Sequence, residues 1–592
     1  RRLVDFNKLR LLLGDNAVED TPEVYDFTWV GKRAALQEAV APINKTLRPC
    51  PEESVDWDKT QNLYIEGDNL EVLKLLQNSY MGKVKMIYID PPYNTGNDFV
   101  YHDDFTQSAE EYDESNRDEE GNRYRRNTDS NGRFHSDWCS MIYTRLMVAR
   151  SLLTDNGVIF ISIDENEIQN MRKITDEVFG ESNFISQLGW QKVYSPKNQA
   201  RYFSNDYEFV LCYCKNISSF SINLLPRTEA MNARYKNPDN DPRGDWKAGD
   251  CVGNGVRSQG YYDVVSPKTG KVFNVPQGKH WVYARDNMMK MIEDNRIWFG
   301  KDGNSFPAVK QFLSDVTGRR PSSLLMYEDY GHTDMAKKDL IKLFKDLENV
   351  PFDTPKPVKL IKMLSIIGSD KEDIVLDFFS GSATTAQAIM ELNEETQSNR
   401  KFILVQMPEI IDDNPGAIKI GLNNIAEVGK ERIRRAGKTI KEENPLTAQD
   451  LDTGFRVFKC DSSNYKDVAF APKDYTQDML AGLLDNIKED RTDLDLLFDC
   501  MLRWGVELSL PLSTTKVDGC TIHNVNDGDL VACFDGNVTE AVIDAIADLS
   551  PLRVVFRDSS FNEAAQKMNL FELFKQKCDW TDEEVKNNVR VI

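Results

Sequence analysis

The 592-residue sequence has no run of eighteen apolar residues, and no apolar segment follows Arg1. A run of that length is needed for a membrane-spanning helix, and an apolar segment near the N-terminus forms the core of a signal peptide. We therefore expect a cytoplasmic protein with no membrane contact. Because the chain starts at Arg1 instead of Met, we also expect further sequence upstream.

Cysteine and histidine patterns typical of metal sites are missing. The ten cysteines include no C-x-x-C pair, the closest two being Cys212 and Cys214, and only five histidines are present. These numbers argue against a disulfide framework and against structural zinc, so we expect no metal. The phosphate-loop pattern G-x-x-x-x-G-K-[ST] does not occur either, which argues against ATP hydrolysis by this chain.

The chain also lacks the overall positive charge of a protein that coats nucleic acid. Its formal net charge is −22. Residues 215–345 differ, because they carry 21 Lys and Arg against 15 Asp and Glu, a balance of +6 that leaves −28 for the rest of the chain. Since phosphate binding needs local Lys and Arg, any DNA contact is predicted in this segment.

The sequence does contain strand patterns that alternate with helix patterns, which predicts an α/β fold with a parallel sheet. Predicted strands are Leu63–Glu66, Val84–Ile89, Gly157–Ile163, Phe209–Cys214, Ile374–Phe378 and Phe402–Gln406, and predicted helices include Leu70–Gln77, a helix from Glu165, Lys356–Ile367, Thr384–Leu392 and Leu422–Arg435. A further β-α-β pattern covers Leu530–Phe534, Thr539–Leu549 and Leu552–Phe556.

These patterns divide the chain into five predicted parts. They are an extension (1–60), a first α/β half (61–215), a module rich in Gly, Asn, Pro and aromatic residues (216–345), a second α/β half (346–445) and an acidic C-terminal α/β domain (446–592). Residues 106–133 have almost no aliphatic side chains and cannot pack a core, so we expect a mobile loop there. That loop is either a substrate lid or DNA clamp, or a solvated insertion without function.

The strongest chemical signal is the string Asp90-Pro91-Pro92-Tyr93, which follows an apolar strand. Open α/β sheets bind ligands at the carboxyl ends of their strands. An aromatic amine is a weak nucleophile, and a carboxylate and a fixed backbone carbonyl can accept its two hydrogens and localise its lone pair. Asp90 and the Pro91 carbonyl suit those roles, the prolines fix φ, and Tyr93 can stack on an extracted base. The alternative is a proline-rich turn.

A second signal is the string DFFSGSATT, in which a strand ending at Asp377 runs through a turn of small residues into a helix. Small residues let a backbone approach a cofactor closely. Upstream, Lys356 stands at a predicted helix start, where a lysine and free N–H groups can meet a carboxylate; an ordinary helix start is the alternative. Asp68 is either an acceptor for a cofactor amine or a helix N-cap.

The order of these motifs, together with LYIEGDNLEVLKLL, KMIYIDPPYNTGNDF, GVIFISIDENE, RIWFGKDGN, PKPVKLI and ERIRRA, resembles the circularly permuted β-class of DNA amino-methyltransferases and, within it, the modification subunits of Type III restriction–modification systems. The resemblance implies a Rossmann-like methyltransferase domain with an inserted target recognition domain, site-specific transfer of a methyl group from S-adenosylmethionine to N6 of a flipped-out adenine in double-stranded DNA, a homodimer and a separate helicase-nuclease subunit.

By this resemblance the catalytic residues are Asp90, Pro91, Pro92 and Tyr93. Those around S-adenosylmethionine are Asp68, Thr354, Lys356, Asp377, Phe379, Ser380, Gly381 and Thr384, with the ribose bound by either Gln406 or Glu409. The resemblance also places the recognition domain in the basic segment, where the predicted DNA contacts are Arg227, Arg234, Arg243, Lys247, Arg257, Lys279, Arg285, Arg296, Arg319 and Arg320. Residues 446–592 are the predicted association surface.

Several other functions stay open at this point. The chain could act on cytosine N4, on RNA or on a glutamine amide, although by resemblance the Asp of DPPY favours adenine N6. It could also act as an orphan methyltransferase without a restriction subunit. A silent DNA-binding scaffold is the alternative from a different class, and the presence of both the catalytic and the cofactor motifs argues against it.

Overall fold

The computed structural model describes residues 27–96, 99–101, 124–126, 133–196, 200–347, 352–411, 414–466, 486–561 and 564–592. The chain forms two compact units, of which the smaller is Ile222–Ser322 and the larger comprises the residues before and after it. Residues 1–26 of the predicted extension and most of the predicted loop 106–133 lie outside the described residues. Among the helices described, none is long and apolar enough to cross a membrane.

The N-terminal part of the larger unit alternates strands and helices as the sequence predicts. Its elements are α1 (Lys32–Val40), β1 (Lys45–Pro49), β2 (Leu63–Glu66), α2 (Asn69–Tyr80), β3 (Val84–Ile89), β4 (Phe99–Tyr101), β5 (Tyr124–Arg126), α3 (Phe134–Leu152), β6 (Leu153–Ile163), α4 (Ile168–Phe179), β7 (Phe184–Gln191) and β8 (Tyr207–Cys214). All six residues of β3 are buried, as expected for a strand covered on both faces.

The smaller unit is built from short elements. They are α5 (Glu229–Asn232), β9 (Trp246–Asp250), β10 (Val252–Asn254), β11 (Val264–Val265), β12 (Val272–Phe273), β13 (Lys279–Trp281), α6 (Arg285–Glu293), β14 (Ile297–Trp298) and β15 (Ala308–Phe312). Trp281, Met288 and Val264 form the centre of its own apolar core. The chain enters and leaves through one antiparallel pair, in which the N–H groups of Leu225 and Arg319 each donate to the other's carbonyl at 2.8 Å.

The larger unit resumes after residue 322 and runs to the C-terminus. Its elements there are β16 (Leu324–Leu325), α7 (Tyr327–Tyr330), α8 (Thr333–Leu343), α9 (Val358–Gly368), β17 (Ile374–Asp377), α10 (Thr384–Thr396), β18 (Lys401–Gln406), α11 (Pro415–Lys419), α12 (Ile425–Glu443), β19 (Arg456–Ser462), α13 (Asp493–Trp504), β20 (Leu512–Val517), β21 (Cys520–Val525), β22 (Leu530–Cys533), α14 (Glu540–Asp548), β23 (Val554–Phe556), α15 (Ala564–Lys577), α16 (Asp582–Asn588) and β24 (Val589–Val591).

A ten-stranded sheet organises the larger unit, in the order β1-β19-β2-β18-β17-β3-β6-β8-β7-β16. The six strands from β19 to β6 run parallel. Strand β17 pairs directly with β3, with Leu376 beside Ile87. The strand that precedes DPPY and the strand that precedes the small-residue turn are therefore neighbours, although the second comes much later in the chain. This arrangement confirms the predicted permuted α/β fold.

The predicted part boundaries differ from the structure in three places. Strands β1 and β19 lie in the main sheet, so the predicted extension 1–60 and the predicted domain 446–592 each contribute a strand to it. Strand β16 pairs with β7, so the sequence from residue 323 belongs to the larger unit and the insertion is narrower than 216–345. These differences arise because each of the three strands joins the main sheet through main-chain hydrogen bonds to strands distant in sequence, and such bonds leave no signal in the local sequence.

The C-terminal part forms its own five-stranded sheet, in the order β20-β21-β22-β23-β24. Strands β22 and β23 are parallel and enclose α14 in the chain, which confirms the predicted β-α-β pattern. Val525, Leu530 and Val555 of this sheet belong to the apolar cluster that also contains residues of the main sheet. The five-stranded sheet therefore shares a continuous core with the main sheet.

Candidate active site

A cavity of about 950 Å³ lies at the carboxyl edge of the central strands, within the larger unit. Its lining includes all four residues of DPPY and six residues predicted to surround the cofactor, namely Thr354, Lys356, Phe379, Gly381, Gln406 and Glu409. The two strongest motifs thus meet in one cavity because β3 and β17 are adjacent and end at the same edge.

The DPPY segment is held rigidly where it leaves β3. The indole Nε1 of Trp138 donates to the carbonyl of Pro92 at 2.8 Å, and Trp138 is fully buried. The hydroxyl of Tyr93 donates to Oδ1 of Asp90 at 2.9 Å. Two prolines and these contacts fix the direction of the segment, as an acceptor site for an incoming amine requires.

Lys356 makes direct contact with the DPPY segment. Its Nζ donates to Oδ1 and Oδ2 of Asp90 at 2.7 and 2.8 Å, and to the hydroxyl oxygen of Tyr93 at 2.8 Å. Burial raises the pKa of Asp90 above its ordinary range, while Lys356 opposes that rise. Burial acts to lower the pKa of Lys356, but Asp90 and Glu208 outweigh it and raise that pKa. Lys356 is therefore charged at neutral pH.

Glu208 and Lys192 complete this polar group, and neither was predicted from the sequence. Glu208 is the second residue of β8 and is buried. The Tyr93 hydroxyl lies at donor distance, 3.0 Å, from Oε2 of Glu208, and Lys192 Nζ donates to Oε1 at 3.2 Å. Burial acts to raise the pKa of Glu208, but Lys356 and Lys192 hold it below its ordinary value. An acidic residue at the head of an apolar strand was the signal available.

The turn after β17 has the close-approach geometry expected of a cofactor loop. Gly381 has φ +51°, and a Cβ there would lie 3.0 Å from Phe352. Ser380 Oγ is buried without a hydrogen-bond partner among the described residues. Asp377 accepts from the N–H of Phe379 at 3.1 Å and from the Thr385 hydroxyl at 2.5 Å, and burial raises its pKa to about 7. Asp377 thus shapes the turn.

Gln406 and Glu409 differ in how they are engaged. Oε1 of Gln406 accepts from the N–H of Gly381 at 2.6 Å, and its Nε2 donates to the Met407 carbonyl at 3.1 Å. Both ends of the Gln406 amide are therefore engaged, Oε1 with the turn and Nε2 with the chain that follows β18. Burial raises the pKa of Glu409 to about 7, so this cavity-lining carboxyl pays a desolvation penalty that hydroxyl donors from a ligand would offset.

Asp68, Asp377, Ser380 and Thr384 lie outside the set of cavity-lining residues. Oδ1 of Asp68 accepts from the N–H groups of Leu70 and Glu71, so Asp68 is the N-cap of α2, and its Oδ2 pairs with Arg145 at 3.1 Å. The Thr384 hydroxyl accepts from Arg432 at 2.6 Å. Of the two interpretations of Asp68, the helix cap is observed, and the cofactor roles of Asp68 and Thr384 stay predictions.

The ten residues predicted to contact DNA all belong to the smaller unit, and they fall into two groups. Arg243 is tied to Asp241 at 2.9 Å and to Asp294 at 3.1 Å, and Arg296 pairs with Asp294 at 3.0 Å; Arg227, Lys279 and Arg319 are also partly buried. The exposed members are Arg234, Lys247, Arg257, Arg285 and Arg320.

Comparison with known proteins identifies the family. A family model described as DNA methylase matches residues 84–413, more than half of the chain. The chain is 34% identical over 461 residues to the Mod subunit of the Type III restriction-modification enzyme StyLTI of Salmonella typhimurium, covering 77% of this chain and 69% of that protein. The chain belongs to the DNA methylases, as a Type III Mod subunit.

Two further Mod relatives match almost end to end. The EcoP15I Mod subunit of Escherichia coli is 31% identical, with 96% of this chain and 92% of that protein covered. The EcoPI Mod subunit of Escherichia phage P1 is 31% identical, with coverages of 95% and 91%. The predicted family is confirmed, and this Mod subunit is an α/β DNA methyltransferase whose polar cavity lies at the edge of its central sheet.

Proposed function

We propose that this Mod subunit transfers the methyl group of S-adenosylmethionine to N6 of an adenine flipped out of double-stranded DNA. The observation that supports this most directly is the adjacency of β3 and β17, which brings Asp90 and the Phe379–Gly381 turn to one cavity. An amine acceptor and a cofactor turn in the same cavity are the two parts that methyl transfer to a base requires.

Asp90 and Pro91 are assigned to the amine. Asp90 accepts one amine hydrogen in a charge-assisted hydrogen bond and stabilises the positive charge that develops on nitrogen. The Pro92 carbonyl is bound by Trp138, and we assign the Pro91 carbonyl to the second hydrogen. The ring of Tyr93, together with the cavity-lining Trp190 and Tyr194, supplies apolar faces against which an unstacked base can lie.

The second half of the cavity fits S-adenosylmethionine. A ligand can approach the backbone of the turn closely at Gly381, and the hydroxyl of Ser380 in the same turn lacks a partner among the described residues. Burial raises the pKa of Glu409, so hydroxyl donors from a ligand would stabilise its charged carboxylate. When bound, the cofactor supplies an electrophilic methyl group. Because Gln406 is committed to the turn, we propose Glu409 as the ribose acceptor. The carboxylates of Asp90 and Glu208 each face a lysine, so we propose a metal-independent reaction.

Sequence recognition is assigned to the smaller unit, with the five exposed Arg and Lys side chains named above as its first candidates for phosphate or base contacts. The support is that the segment containing this unit has a positive balance of charge in an otherwise acidic chain. As a Mod subunit, the protein is further proposed to form a homodimer and to supply recognition to a restriction subunit. Residues 446–592 stay the predicted association surface.

The deciding experiment is to incubate the purified chain with S-adenosylmethionine and unmethylated DNA, and to digest the DNA to nucleosides for mass spectrometry. N6-methyl-2′-deoxyadenosine is expected, and long-read modification sequencing then gives the recognition site. N4-methyl-2′-deoxycytidine would contradict the adenine assignment, and methyl transfer to RNA in a parallel reaction, without transfer to DNA, would contradict the DNA assignment. Transfer to no nucleic acid, with DNA binding intact, would favour the scaffold.

A further inference from the structure

Glu208 and Asp90 compete for the same two donors. The single Tyr93 hydroxyl proton can go to Asp90 Oδ1 at 2.9 Å or to Glu208 Oε2 at 3.0 Å, but not to both. Lys356 Nζ lies 2.7 Å from Asp90 and 3.6 Å from Glu208. When both donors are directed at Asp90, Oδ1 accepts two hydrogen bonds and Oδ2 accepts one. One acceptor position on Oδ2 is then left for an adenine amine, and the charge of the carboxylate is already shared with two donors.

The geometry makes a transfer of these donors easy. Tyr93 needs only to rotate its hydroxyl proton, and a shift of roughly 1 Å would bring the Lys356 ammonium to hydrogen-bond distance of Glu208. Lys192 Nζ holds the other Glu208 oxygen at 3.2 Å and so fixes the direction of Oε2. The side chain of Glu208 is only 11% exposed, which leaves little water to substitute for it.

We propose that Glu208 is a positioning residue that accepts the Tyr93 hydroxyl and draws Lys356 away when the target amine reaches Asp90. The inference rests on the proposed adenine methylation. Without the Glu208 carboxylate, both donors stay on Asp90, and the amine meets a carboxylate that already accepts three hydrogen bonds and is therefore a weaker acceptor. Glu208 therefore acts through Tyr93 and Lys356 and does not need to touch the base.

The test is single-turnover methyl transfer by Glu208→Gln, with cofactor and DNA affinities measured on the same preparation. We expect the rate to fall about 10-fold to 100-fold, as for loss of one charged partner, while both affinities stay within about threefold. Glu208→Asp keeps the charge and should recover part of the rate. Glu181→Gln, an exposed change on the same unit, should leave the rate unchanged.

A double mutant separates positioning from a structural role. Because Glu208 works partly through the Tyr93 hydroxyl, Glu208→Gln combined with Tyr93→Phe should lose less than the product of the two single losses. A Glu208→Gln rate within threefold of wild type, or fully multiplicative losses, would overturn the inference. Lost affinity or a lowered unfolding temperature in both Glu208→Gln and Glu208→Asp would also overturn it. If the unmodified chain transfers no methyl group, the proposed function itself has failed.

Discussion

The ammonium of Lys356 lies 2.7 and 2.8 Å from the two carboxylate oxygens of Asp90, across a sequence separation of 266 residues. Asp90 follows β3, and Lys356 precedes α9, the helix that leads into β17. The lysine favours the ionised form of a carboxylate whose pKa burial has raised. The ionisation of the proposed acceptor therefore depends on a side chain from the other half of the permuted sheet.

Lys356→Met should move the pH dependence of methyl transfer upward. Without the lysine the pKa of Asp90 rises further, and because only the ionised form accepts the amine hydrogen, the rate at low pH should fall most and recover as pH rises. Single-turnover rates measured from pH 6 to 9 check this. Lys359→Met, an exposed position in α9, is the matched control.

The same variant tests the predicted contact between Lys356 and the cofactor carboxylate. Loss of such a charged hydrogen bond should weaken S-adenosylmethionine binding by about 1.5–3 kcal/mol, measured by calorimetry. Unchanged affinity together with a shifted pH profile would remove Lys356 from the cofactor site and leave it with Asp90. An unshifted profile would refute its role at Asp90.

Asp90→Asn should retain cofactor and DNA binding while methyl transfer falls by at least about 100-fold. The amide preserves the shape of the carboxylate but not the charge that stabilises the developing positive nitrogen, and removal of one such electrostatic partner has an effect of this order. Transfer of labelled methyl groups in a single turnover is the measurement, with the exposed Asp155→Asn as control. A rate within about threefold of wild type would refute the catalytic assignment.

Glu409→Gln should weaken cofactor binding and stabilise the free protein. Burial raises the pKa of Glu409 to about 7, so the folded state holds a proton that the unfolded state loses at lower pH. The contribution of Glu409 to the free energy of unfolding is therefore fully present below the ordinary pKa of a glutamate side chain and is lost as the pH rises toward 7. Glutamine removes that loss, so the unfolding temperature should rise at pH 8 and change little at pH 4.

Affinity for S-adenosylmethionine is the second measurement on Glu409→Gln. Loss of a charged acceptor for the ribose hydroxyls should weaken binding by roughly 10-fold to 100-fold, whereas the exposed Glu443→Gln should change neither affinity nor stability. If the unfolding temperature rises but affinity does not change, the ribose acceptor lies elsewhere.

The smaller unit should be removable without loss of the methylase fold. The mutual hydrogen bonds of Leu225 and Arg319 place the two ends of the insertion side by side, so an Asn-Gly turn in place of residues 226–318 can close the pair as a hairpin. We expect cofactor affinity to be retained and sequence-specific DNA binding to be lost. Calorimetry and binding titrations with cognate and scrambled duplexes check this; retained methylation at the same site would contradict the recognition assignment.

Local sequence patterns correctly predicted the buried strands whose residues are mostly apolar. Strands Leu63–Glu66 and Val84–Ile89 are observed with the predicted bounds, because buried parallel strands read as uninterrupted apolar segments. Strand β1 (Lys45–Pro49) was not predicted, since it is short, partly exposed and ends in proline. Its pairing with β19, distant in sequence, has no counterpart in local composition.

The candidate site, like the fold, could be predicted only in part from the sequence. Motif residues such as Asp90 and Gly381 could be selected by their position after a strand, where the carboxyl edge is expected. Glu208 could not be selected in this way. Strand β8 runs antiparallel to β6, so its first residues lie beside the carboxyl end of β6. The sequence alone does not indicate that strand direction. The Lys356–Asp90 contact depends in the same way on strand order, which is a property of the whole sheet.

The order of strands in the central sheet also constrains how this protein emerges from the ribosome. Strands β2 and β3 follow one another in the chain but are separated in the sheet by β18 and β17, and Val84 pairs with Ile374. Until that later segment is synthesised, the apolar strand β3 has an unpaired edge. Exposed apolar edges associate with other chains, so we expect the nascent N-terminal half to be prone to aggregation until β17 is available to pair with β3.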